Sequence, residues 1–221
     1  MKDEVITRII NKKLIVIVRG ADEQKILPLA EALVKGGIEM IEITFNQRNP
    51  ESFSSTARSI EAIRKHFNGD VCTGAGTVLT IEQLNMAKDA GAMYIISPNT
   101  DAKIIAKTVE LGLVSIPGAM TPSECMTAHN AGADIIKLFP LGDLGLGYFK
   151  SLKAPLSHLH FLGTGGINEK NIPDFLSAGI DGFGVGGNLV DKNLLNNNDF
   201  GKITETAIRY VKTILNFYEG D

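Results

Sequence analysis

Short apolar runs alternate along the chain with longer segments in which apolar residues recur at helical spacing. The first run, Leu14 to Val18, consists of leucine and β-branched residues, and the segment from Asp22 to Lys35 follows it and stops at two glycines. A short apolar run predicts a buried strand, and a glycine after a periodic segment predicts the end of a helix. This part of the chain therefore predicts one strand followed by one helix.

The same unit recurs along the whole chain. After a short leading helix from Asp3 to Asn11, the predicted strands are 14–18, 40–44, 71–74, 94–97, 114–117, 135–139, 160–164 and 182–185. The predicted helices are 22–35, 50–66, 80–90, 101–110, 121–131, 147–153, 172–178 and 202–218. Eight such units in about 200 residues match the lower size limit of an α/β fold, the closed (β/α)8 TIM barrel.

A doubly wound open sheet is the competing architecture. Such a sheet more often carries a G-x-G-x-x-G turn after its first strand. Here Arg19-Gly20-Ala21-Asp22 follows the first strand instead, which favours the barrel. No linker or change of composition divides the chain, so residues 1–221 are predicted to form a single barrel domain.

Two segments rich in loop-forming residues interrupt this pattern. Gly142 to Gly147 contains three glycines and is predicted to be a flexible loop, either a lid or a turn. Asn196-Asn197-Asn198 is predicted to be a solvated loop before the last helix.

Composition and charge limit the possible binding partners and the cellular compartment of the protein. A net charge of -3 provides no basic surface for nucleic acid. The apolar run from Leu14 to Val18 is too short for a membrane span or a signal segment, so a soluble protein with no membrane partner is expected. The two cysteines, Cys72 and Cys125, belong to no metal-ligand spacing and favour a reduced, cytoplasmic setting.

A lysine interrupts the apolar run that forms the sixth predicted strand. On a strand, Lys137 shares a face with Ile135 and Phe139, and the residues between them point to the opposite face. Burial of an unpaired ammonium lowers its pKa and leaves a neutral amine, which is a nucleophile toward carbonyl carbon. Alternatively, the strand ends early and the ammonium reaches solvent along its aliphatic stem.

A carboxylate lies within the second predicted strand, Ile41-Glu42-Ile43-Thr44. If the two isoleucines pack on helices, Glu42 points into the barrel. Burial raises the pKa of a carboxyl group and makes it a suitable proton shuttle. The structural alternative is an ion pair, for example with Arg19.

Glycines cluster after three predicted strands. The seventh and eighth strands end in Gly163-Thr164-Gly165-Gly166 and Gly184-Val185-Gly186-Gly187-Asn188. Phosphate oxygens can meet backbone N–H groups there without an intervening Cβ, and barrels commonly bind phosphate after these two strands. The third strand ends in Gly74-Ala75-Gly76-Thr77, whose glycines allow the backbone to approach a ligand closely and whose Thr77 hydroxyl is a candidate to bind a carboxylate.

The histidines are not candidates for the site, because none follows a predicted strand at its carboxyl end, where barrel chemistry lies. They are His66, His129, His158 and His160. With no cluster of His or Asp at the barrel mouth, the sequence predicts a mechanism without a metal ion.

In this order the motifs resemble those of the KDPG/KHG aldolases, which act on 2-keto-3-deoxy-6-phosphogluconate (KDPG), over nearly the full chain. The shared motifs are Ile15-Val16-Ile17-Val18-Arg19-Gly20, Glu42-Ile43-Thr44, Gly74-Ala75-Gly76-Thr77-Val78, Ile96-Ser97-Pro98, Pro117-Gly118-Ala119-Met120-Thr121-Pro122, Lys137-Leu138-Phe139-Pro140, Gly163-Thr164-Gly165-Gly166-Ile167 and Val185-Gly186-Gly187. The resemblance implies a homotrimeric class I aldolase without a cofactor, in which Lys137 forms a Schiff base with the substrate and Glu42 is the acid and base.

The resemblance also implies the parts played by residues around the lysine. Thr77 and Pro98 belong to the pyruvate pocket, Phe139 lies beside the lysine, and Gly165 and Gly166 bind the phosphate. The second glycine run, with Gly186, Gly187 and Asn188, completes the predicted substrate-binding set.

Two positions depart from the family pattern. Some members carry an arginine for the substrate carboxylate where this chain has Asn46, so Arg19 or Arg48 is expected to take that part. Some carry a phosphate-binding serine where this chain has Asn188, whose amide can still donate a hydrogen bond.

The predicted reaction is cleavage of KDPG to pyruvate and glyceraldehyde 3-phosphate. The same chemistry on the 6-phosphogalactonate epimer or on 4-hydroxy-2-oxoglutarate is left open. Two rivals do not need Lys137 as a nucleophile. One is a phosphosugar isomerase or epimerase on the same barrel, and the other is a barrel that binds a phosphorylated metabolite without turnover.

Overall fold

A computed structural model describes residues 2–219, in which nine strands form one parallel sheet. The strands are β1 (Leu14–Val18), β2 (Met40–Thr44), β3 (Cys72–Gly76), β4 (Tyr94–Ile96), β5 (Val114–Ile116), β6 (Gly118–Ala119), β7 (Ile136–Leu138), β8 (Phe161–Thr164) and β9 (Gly182–Val185). Their order in the sheet is β5-β4-β3-β2-β1-β9-β8-β7-β6, and every pairing is parallel.

The two ends of this order are halves of one strand that is broken at Pro117. β5 pairs with β4 and β6 pairs with β7, and only Pro117 separates the two halves. Proline has no backbone N–H, so it cannot donate to a ladder, and the change of partner falls at this residue. Because one half pairs with β4 and the other with β7, the sheet curls into a nearly closed barrel of eight strands. This confirms the predicted (β/α)8 architecture and excludes the open sheet.

Helices surround the barrel. They are α1 (Lys2–Lys12), α2 (Ile26–Lys35), α3 (Phe53–Phe67), α4 (Ile81–Asp89), α5 (Ala102–Glu110), α6 (Pro122–Asn130), α7 (Leu141–Lys153), α8 (Ile172–Ser177), α9 (Lys192–Asn196) and α10 (Phe200–Glu219). Short 3₁₀ turns, Glu23–Lys25 and Pro50–Ser52, lead into α2 and α3. None of the helices in residues 2–219 is long and apolar enough to cross a membrane.

The predicted flexible loop from Gly142 to Gly147 is wrong. These residues belong to α7, and within it only Gly145 departs from helical geometry, with φ 83° and ψ 171°. A Cβ added at Gly142 would lie 2.5 Å from the carbonyl carbon of Gly166. The glycine that indicated a loop is therefore needed for close contact between α7 and the loop after β8.

The predicted loop at Asn196 to Asn198 is only partly correct. Asn196 is the last residue of α9, a short helix that the sequence analysis did not predict. Asp191 caps this helix, since its carboxylate accepts from the N–H groups of Asn193 and Leu194. Asn198 then adopts a left-handed conformation before α10 begins.

Strand alternation divides the core into two layers. One face of each strand packs on the helices, and the opposite faces fill the barrel with Ile15, Met40, Cys72, Tyr94, Ile96, Val114, Ile116, Ile135 and Leu162. Val5 and Ile9 of α1 join the inner layer, so the leading helix covers the amino-terminal end of the barrel. The carboxyl ends of the strands carry the polar residues described below.

Glycine at position 74 gives Tyr94 its place inside the barrel. A Cβ added at Gly74 would lie 2.1 Å from Cε2 of Tyr94, whose side chain is fully buried. Protein interiors are close-packed, so an added methyl group forces neighbouring side chains or backbone to shift. Large Tyr94 and small Gly74 therefore occupy complementary space.

We expect Gly74→Ala to lower the free energy of unfolding by about 1–3 kcal/mol, because the new methyl group overpacks the inner layer. Chemical denaturation measures this change. Gly147→Ala is the matched control, since a Cβ added there on α7 meets no atom of residues 2–219 within 4 Å outside its own helix. An equal effect of both substitutions would contradict the close packing of Tyr94 on Gly74.

Candidate active site

Lys137 is the central residue of β7 and points into the barrel. Ile136 and Leu138 on either side of it belong to the outer layer of the core, whereas Ile135 belongs to the inner layer. The side chain is buried, with only 8% of the residue exposed. Within residues 2–219, Lys137 forms no salt bridge with a carboxylate.

Burial lowers the pKa of the Lys137 amine below its ordinary value. The negative charge of Glu42 opposes this effect, and the positive charge of Arg19 adds to it. The surroundings therefore favour the neutral form of Lys137, the form that can attack a carbonyl carbon.

Glu42 lies on β2 and also points into the barrel, with 1% of the residue exposed. Its Oε2 atom is buried and has no hydrogen-bond partner among the described residues. Burial raises the pKa of the carboxyl group, and the charges of Lys137 and Arg19 oppose this rise. The alternative of a structural ion pair is not what the structure contains, because no salt bridge to Glu42 lies within residues 2–219.

Gly76, at the end of β3, provides the space for the Glu42 carboxylate. A Cβ at this position would lie 1.7 Å from Glu42 Oε1, so no other residue fits without moving the carboxylate. The sequence analysis assigned the glycines of this loop to close approach of a ligand. Here Gly76 serves the side chain of the neighbouring strand instead.

Thr77 follows Gly76 and adopts a left-handed conformation with φ 56°. Arg19 lies at the carboxyl end of β1, with its Nη2 atom 3.5 Å from Thr77 Oγ1. A guanidinium and a hydroxyl side by side at the barrel mouth can together bind a carboxylate. Both Arg19 and Arg48 are exposed, but only the charge of Arg19 contributes to the pKa shifts of Lys137 and Glu42, which favours Arg19 as the arginine at the mouth.

The side chain of Asn46 forms a hydrogen bond within its own loop. Its Oδ1 atom accepts the backbone N–H of Arg48 at 3.1 Å, which is an Asx turn after β2. Asn46 therefore shapes the loop after β2.

Phe139 and Pro98 lie at the rim of the barrel. The ring of Phe139, 44% exposed, has its centroid 5.4 Å from Lys137 Nζ. Pro98 is exposed in the loop after β4, and a Cβ at Gly118 would lie 2.4 Å from its carbonyl carbon. Both residues therefore border the opening above the lysine.

The glycine loops after β8 and β9 lie beside the same opening. Gly165 and Gly166 have φ of 79° and 70°, and a Cβ at Gly165 would lie 3.0 Å from the Phe139 ring. The Asn188 amide donates to the Ile167 carbonyl at 2.8 Å and thereby connects the two loops.

Gly186 and Gly187 precede Asn188 at the end of β9. Among the described residues, no atom lies within 4 Å of a Cβ built at Gly187. A phosphate cradle needs uncovered backbone of this kind. One of the two N–H bonds of the Asn188 amide is used by Ile167, and the other makes no hydrogen bond within residues 2–219.

The histidines are placed away from this opening. His160 precedes β8, at the amino end of the strand, and its Nδ1 lies 3.0 Å from Asp181 Oδ1. His66, near the end of α3, lies 3.0 Å from Glu31 Oε1. Across residues 2–219, no group of three or more His, Cys, Asp and Glu side chains is placed to hold a metal ion.

Three side chains of the site region were missed by the sequence analysis. Tyr94 lies fully buried inside the barrel, and its hydroxyl has no hydrogen-bond partner among the described residues. Gln47 and Gln83 form hydrogen bonds that hold the loop of Thr77. The Thr80-x-x-Gln83 spacing, typical of a helix start, was the one signal available.

Comparison with known proteins agrees with this geometry. The family model for KDPG and KHG aldolase matches residues 5–206. A probable 2-dehydro-3-deoxy-6-phosphogalactonate aldolase of Rhizobium meliloti is 35% identical over 80% of this chain and 82% of its own length. A 2-dehydro-3-deoxy-phosphogluconate aldolase of Haemophilus influenzae is 32% identical over 95% of this chain and 97% of its own length.

A solved structure is similar over the whole barrel. It is the KDPG aldolase of Legionella pneumophila with pyruvate captured as a covalent carbinolamine, with a TM-score of 0.80 and 29% identity. The match covers 89% of this chain and 93% of that one.

The fold and the matching family model define an aldolase, which is a carbon–carbon lyase, on a (β/α)8 barrel. The chain belongs to the KDPG and KHG aldolase family.

The charges around Lys137 predict how two substitutions change its reactivity. We expect the pH midpoint for acetylation of Lys137 to lie below the ordinary lysine value of 10.5. Glu42→Gln should lower this midpoint further, because it removes a negative charge that stabilises the ammonium. Arg19→Met should raise it, because it removes a positive charge.

Peptide mass spectrometry after brief acetylation across a pH series gives the midpoint. Acetylation of the surface residue Lys170 in the same samples serves as the internal reference. Shifts of the same sign in both variants would contradict this electrostatic account.

Proposed function

We propose that residues 1–221 form one aldolase domain that cleaves KDPG to pyruvate and glyceraldehyde 3-phosphate through a Schiff base on Lys137. The observation that carries this proposal is a buried amine with lowered pKa in the same barrel interior as a buried carboxylate. The carbinolamine captured in the Legionella pneumophila relative supports the same chemistry.

The neutral amine of Lys137 attacks the C2 ketone and forms a carbinolamine. Uptake of one proton from solvent and loss of water then give an iminium, whose positive nitrogen accepts electrons more readily than the ketone oxygen does; the final hydrolysis returns this proton. Covalent attachment divides one difficult step into easier ones. The iminium is itself the electron sink, so this mechanism requires no metal ion or separate cofactor.

Glu42 moves the protons, directly or through one water. Its carboxylate takes the proton of the C4 hydroxyl, the C3–C4 bond breaks, and the electron pair passes to the iminium nitrogen to give an enamine. Glyceraldehyde 3-phosphate leaves as the aldehyde. The Glu42 acid then returns its proton to C3, and hydrolysis of the new iminium releases pyruvate and Lys137. A raised pKa suits Glu42 to both transfers.

The remaining residues bind the two ends of the substrate. Arg19 and Thr77 hold the carboxylate next to the reacting ketone, which their 3.5 Å separation supports. Phe139 and Pro98 border the pyruvate part of the pocket. The phosphate lies on the backbone of two glycine loops, Gly165-Gly166 and Gly186-Gly187, with the free N–H of Asn188 as an additional donor.

Borohydride reduction in the presence of pyruvate tests the covalent step. We expect the mass of one reduced pyruvate adduct on Lys137 in the wild-type protein and none in Lys137→Met. Glu42→Gln should retain trapping, because the amine is unchanged, yet lose proton exchange at the pyruvate methyl group by about 10²–10⁴-fold.

NMR of pyruvate in D₂O follows this exchange. Undiminished exchange in Glu42→Gln would remove Glu42 from the role. A wild-type protein that is not trapped, or a Lys137→Met variant with full activity, would favour an isomerase, an epimerase or a binding protein instead.

Substrate preference is the finer part of the proposal. The relatives include both a phosphogluconate and a phosphogalactonate aldolase. We expect the largest kcat/KM with KDPG in a panel that also contains its C4 epimer and 4-hydroxy-2-oxoglutarate. The unphosphorylated substrate should show the largest KM, because it makes no contact with the glycine loops. A panel led by the epimer would reassign the substrate and leave the Schiff-base mechanism in place.

We also propose a homotrimer in the cytoplasm. The loops that follow β3 and β6 expose apolar side chains, Leu79 and Met120, and α4 exposes Ile81 at its start. Exposed apolar groups at one end of a barrel support a subunit contact there. Sedimentation equilibrium would give the mass of three chains, and the mass of a single chain would refute the trimer.

A further inference from the structure

The backbone of Thr77 is held in a conformation that a β-branched residue rarely adopts. Its φ of 56° places it in the left-handed region, where the side chain crowds the carbonyl group. Such a strained residue persists only where neighbouring groups determine its conformation. The contacts of Thr77 therefore identify the groups that keep its hydroxyl at the barrel mouth.

Two glutamines supply these contacts. The Gln47 Nε2 atom donates to the carbonyl oxygen of Thr77 at 2.7 Å. The Gln83 Nε2 atom donates to Gln47 Oε1 at 2.9 Å, and Gln83 Oε1 accepts the backbone N–H of Leu79 at 2.7 Å. We call these three hydrogen bonds the amide chain. It connects the loop after β2 with both sides of Val78 in the loop after β3.

The direction of each hydrogen bond in the amide chain is fixed by chemistry. A backbone N–H can only donate, so the atom of Gln83 that faces Leu79 must be its oxygen. The amide nitrogen of Gln83 then faces Gln47, whose oxygen must accept. The nitrogen of Gln47 is left to donate to the Thr77 carbonyl. The orientation of both side chains follows from the single backbone N–H of Leu79.

Gln83 differs from Gln47 in its surroundings. Gln83 lies in the first turn of α4 with 0% of the residue exposed, and its own backbone N–H is capped by Thr80. Gln47 is exposed at the barrel rim. A buried side-chain amide needs all its partners, so Gln83 is the fixed end of the amide chain and Gln47 is the arm that reaches Thr77.

We propose that Gln47 and Gln83 are positioning residues that hold the Thr77 hydroxyl beside Arg19 and so set the affinity for the carboxylate of the keto acid. This inference rests on the proposed function, because it assumes a keto-acid carboxylate between Thr77 and Arg19. The amide chain acts on binding of the substrate and not on the bond-breaking step, since within residues 2–219 neither glutamine forms a hydrogen bond with Lys137 or Glu42.

A capping role of Gln83 alone is the competing explanation. Its bond to Leu79 resembles a capping box, which would stabilise α4 without any effect on the site. Gln47→Leu separates the two explanations. It removes the donor to Thr77 and leaves both Thr80 and Gln83 in place to cap α4.

The experiment measures the pyruvate concentration for half-maximal borohydride trapping of Lys137 and the KM and kcat for cleavage of KDPG. In Gln47→Leu we expect the half-maximal concentration and KM to rise roughly five- to tenfold, the effect of about one lost hydrogen bond. The kcat and the trapping at saturating pyruvate should change less than about twofold. Gln24→Leu, an exposed glutamine on the 3₁₀ turn before α2, is the matched control and should leave all values unchanged.

The double variant tests whether the two glutamines act through one chain. Gln83→Leu should raise KM at least as much as Gln47→Leu. Adding Gln47→Leu to Gln83→Leu should then have no further effect on KM, because the amide chain is already broken. Effects that multiply in the double variant would overturn a single chain.

Hydrogen exchange gives a readout that needs no substrate. In Gln47→Leu, the peptide that covers residues 77 to 79 should exchange faster than in the wild type, while a peptide within α4 should not. Unchanged KM in Gln47→Leu would overturn the inference, and so would a fall in kcat with KM unchanged. Failure of the proposed function would appear instead in the wild-type protein, as absence of trapping.

Discussion

Removal of two ionisable groups from water is the constraint on which this structure depends. Lys137 and Glu42 both point into the barrel. Burial lowers the pKa of the amine and raises the pKa of the carboxyl group, so it favours the neutral form of each. Each charge partly offsets the cost of the other, and Arg19 at the mouth favours ionisation of Glu42 and the neutral amine of Lys137. An amine and a carboxyl group that would both be charged on a surface are thereby placed in the surroundings that the proposed nucleophilic attack and proton transfer require.

The barrel wall is shaped around these groups by small residues at alternate positions. On β3, Gly74 faces the ring of Tyr94 and Gly76 faces the carboxylate of Glu42, while Ala75 between them points to the helices. The period of two along a strand brings both glycines to the inner face. The two glycines therefore leave space inside the barrel for the side chains of Tyr94 and Glu42, while Ala75 packs in the outer layer.

Much of the fold followed from patterns in the sequence, because alternation and helix stops are local. The inward direction of Lys137 and Glu42 was predictable, since each lies between apolar residues that pack on helices. The break at Pro117 and the helical state of Gly142 were not, because both depend on partners distant in sequence. The roles of Gln47 and Gln83 were hidden for the same reason, since a glutamine next to a strand has no periodic signal.

Pro117 has a consequence for the lysine itself. Pro117 marks a seam in the cylinder between β5 and β6. Its carbonyl oxygen accepts a hydrogen bond from the backbone N–H of Lys137 at 2.9 Å. The height of Lys137 along the cylinder axis is thus fixed by the carbonyl of the residue at which the strand changes partner.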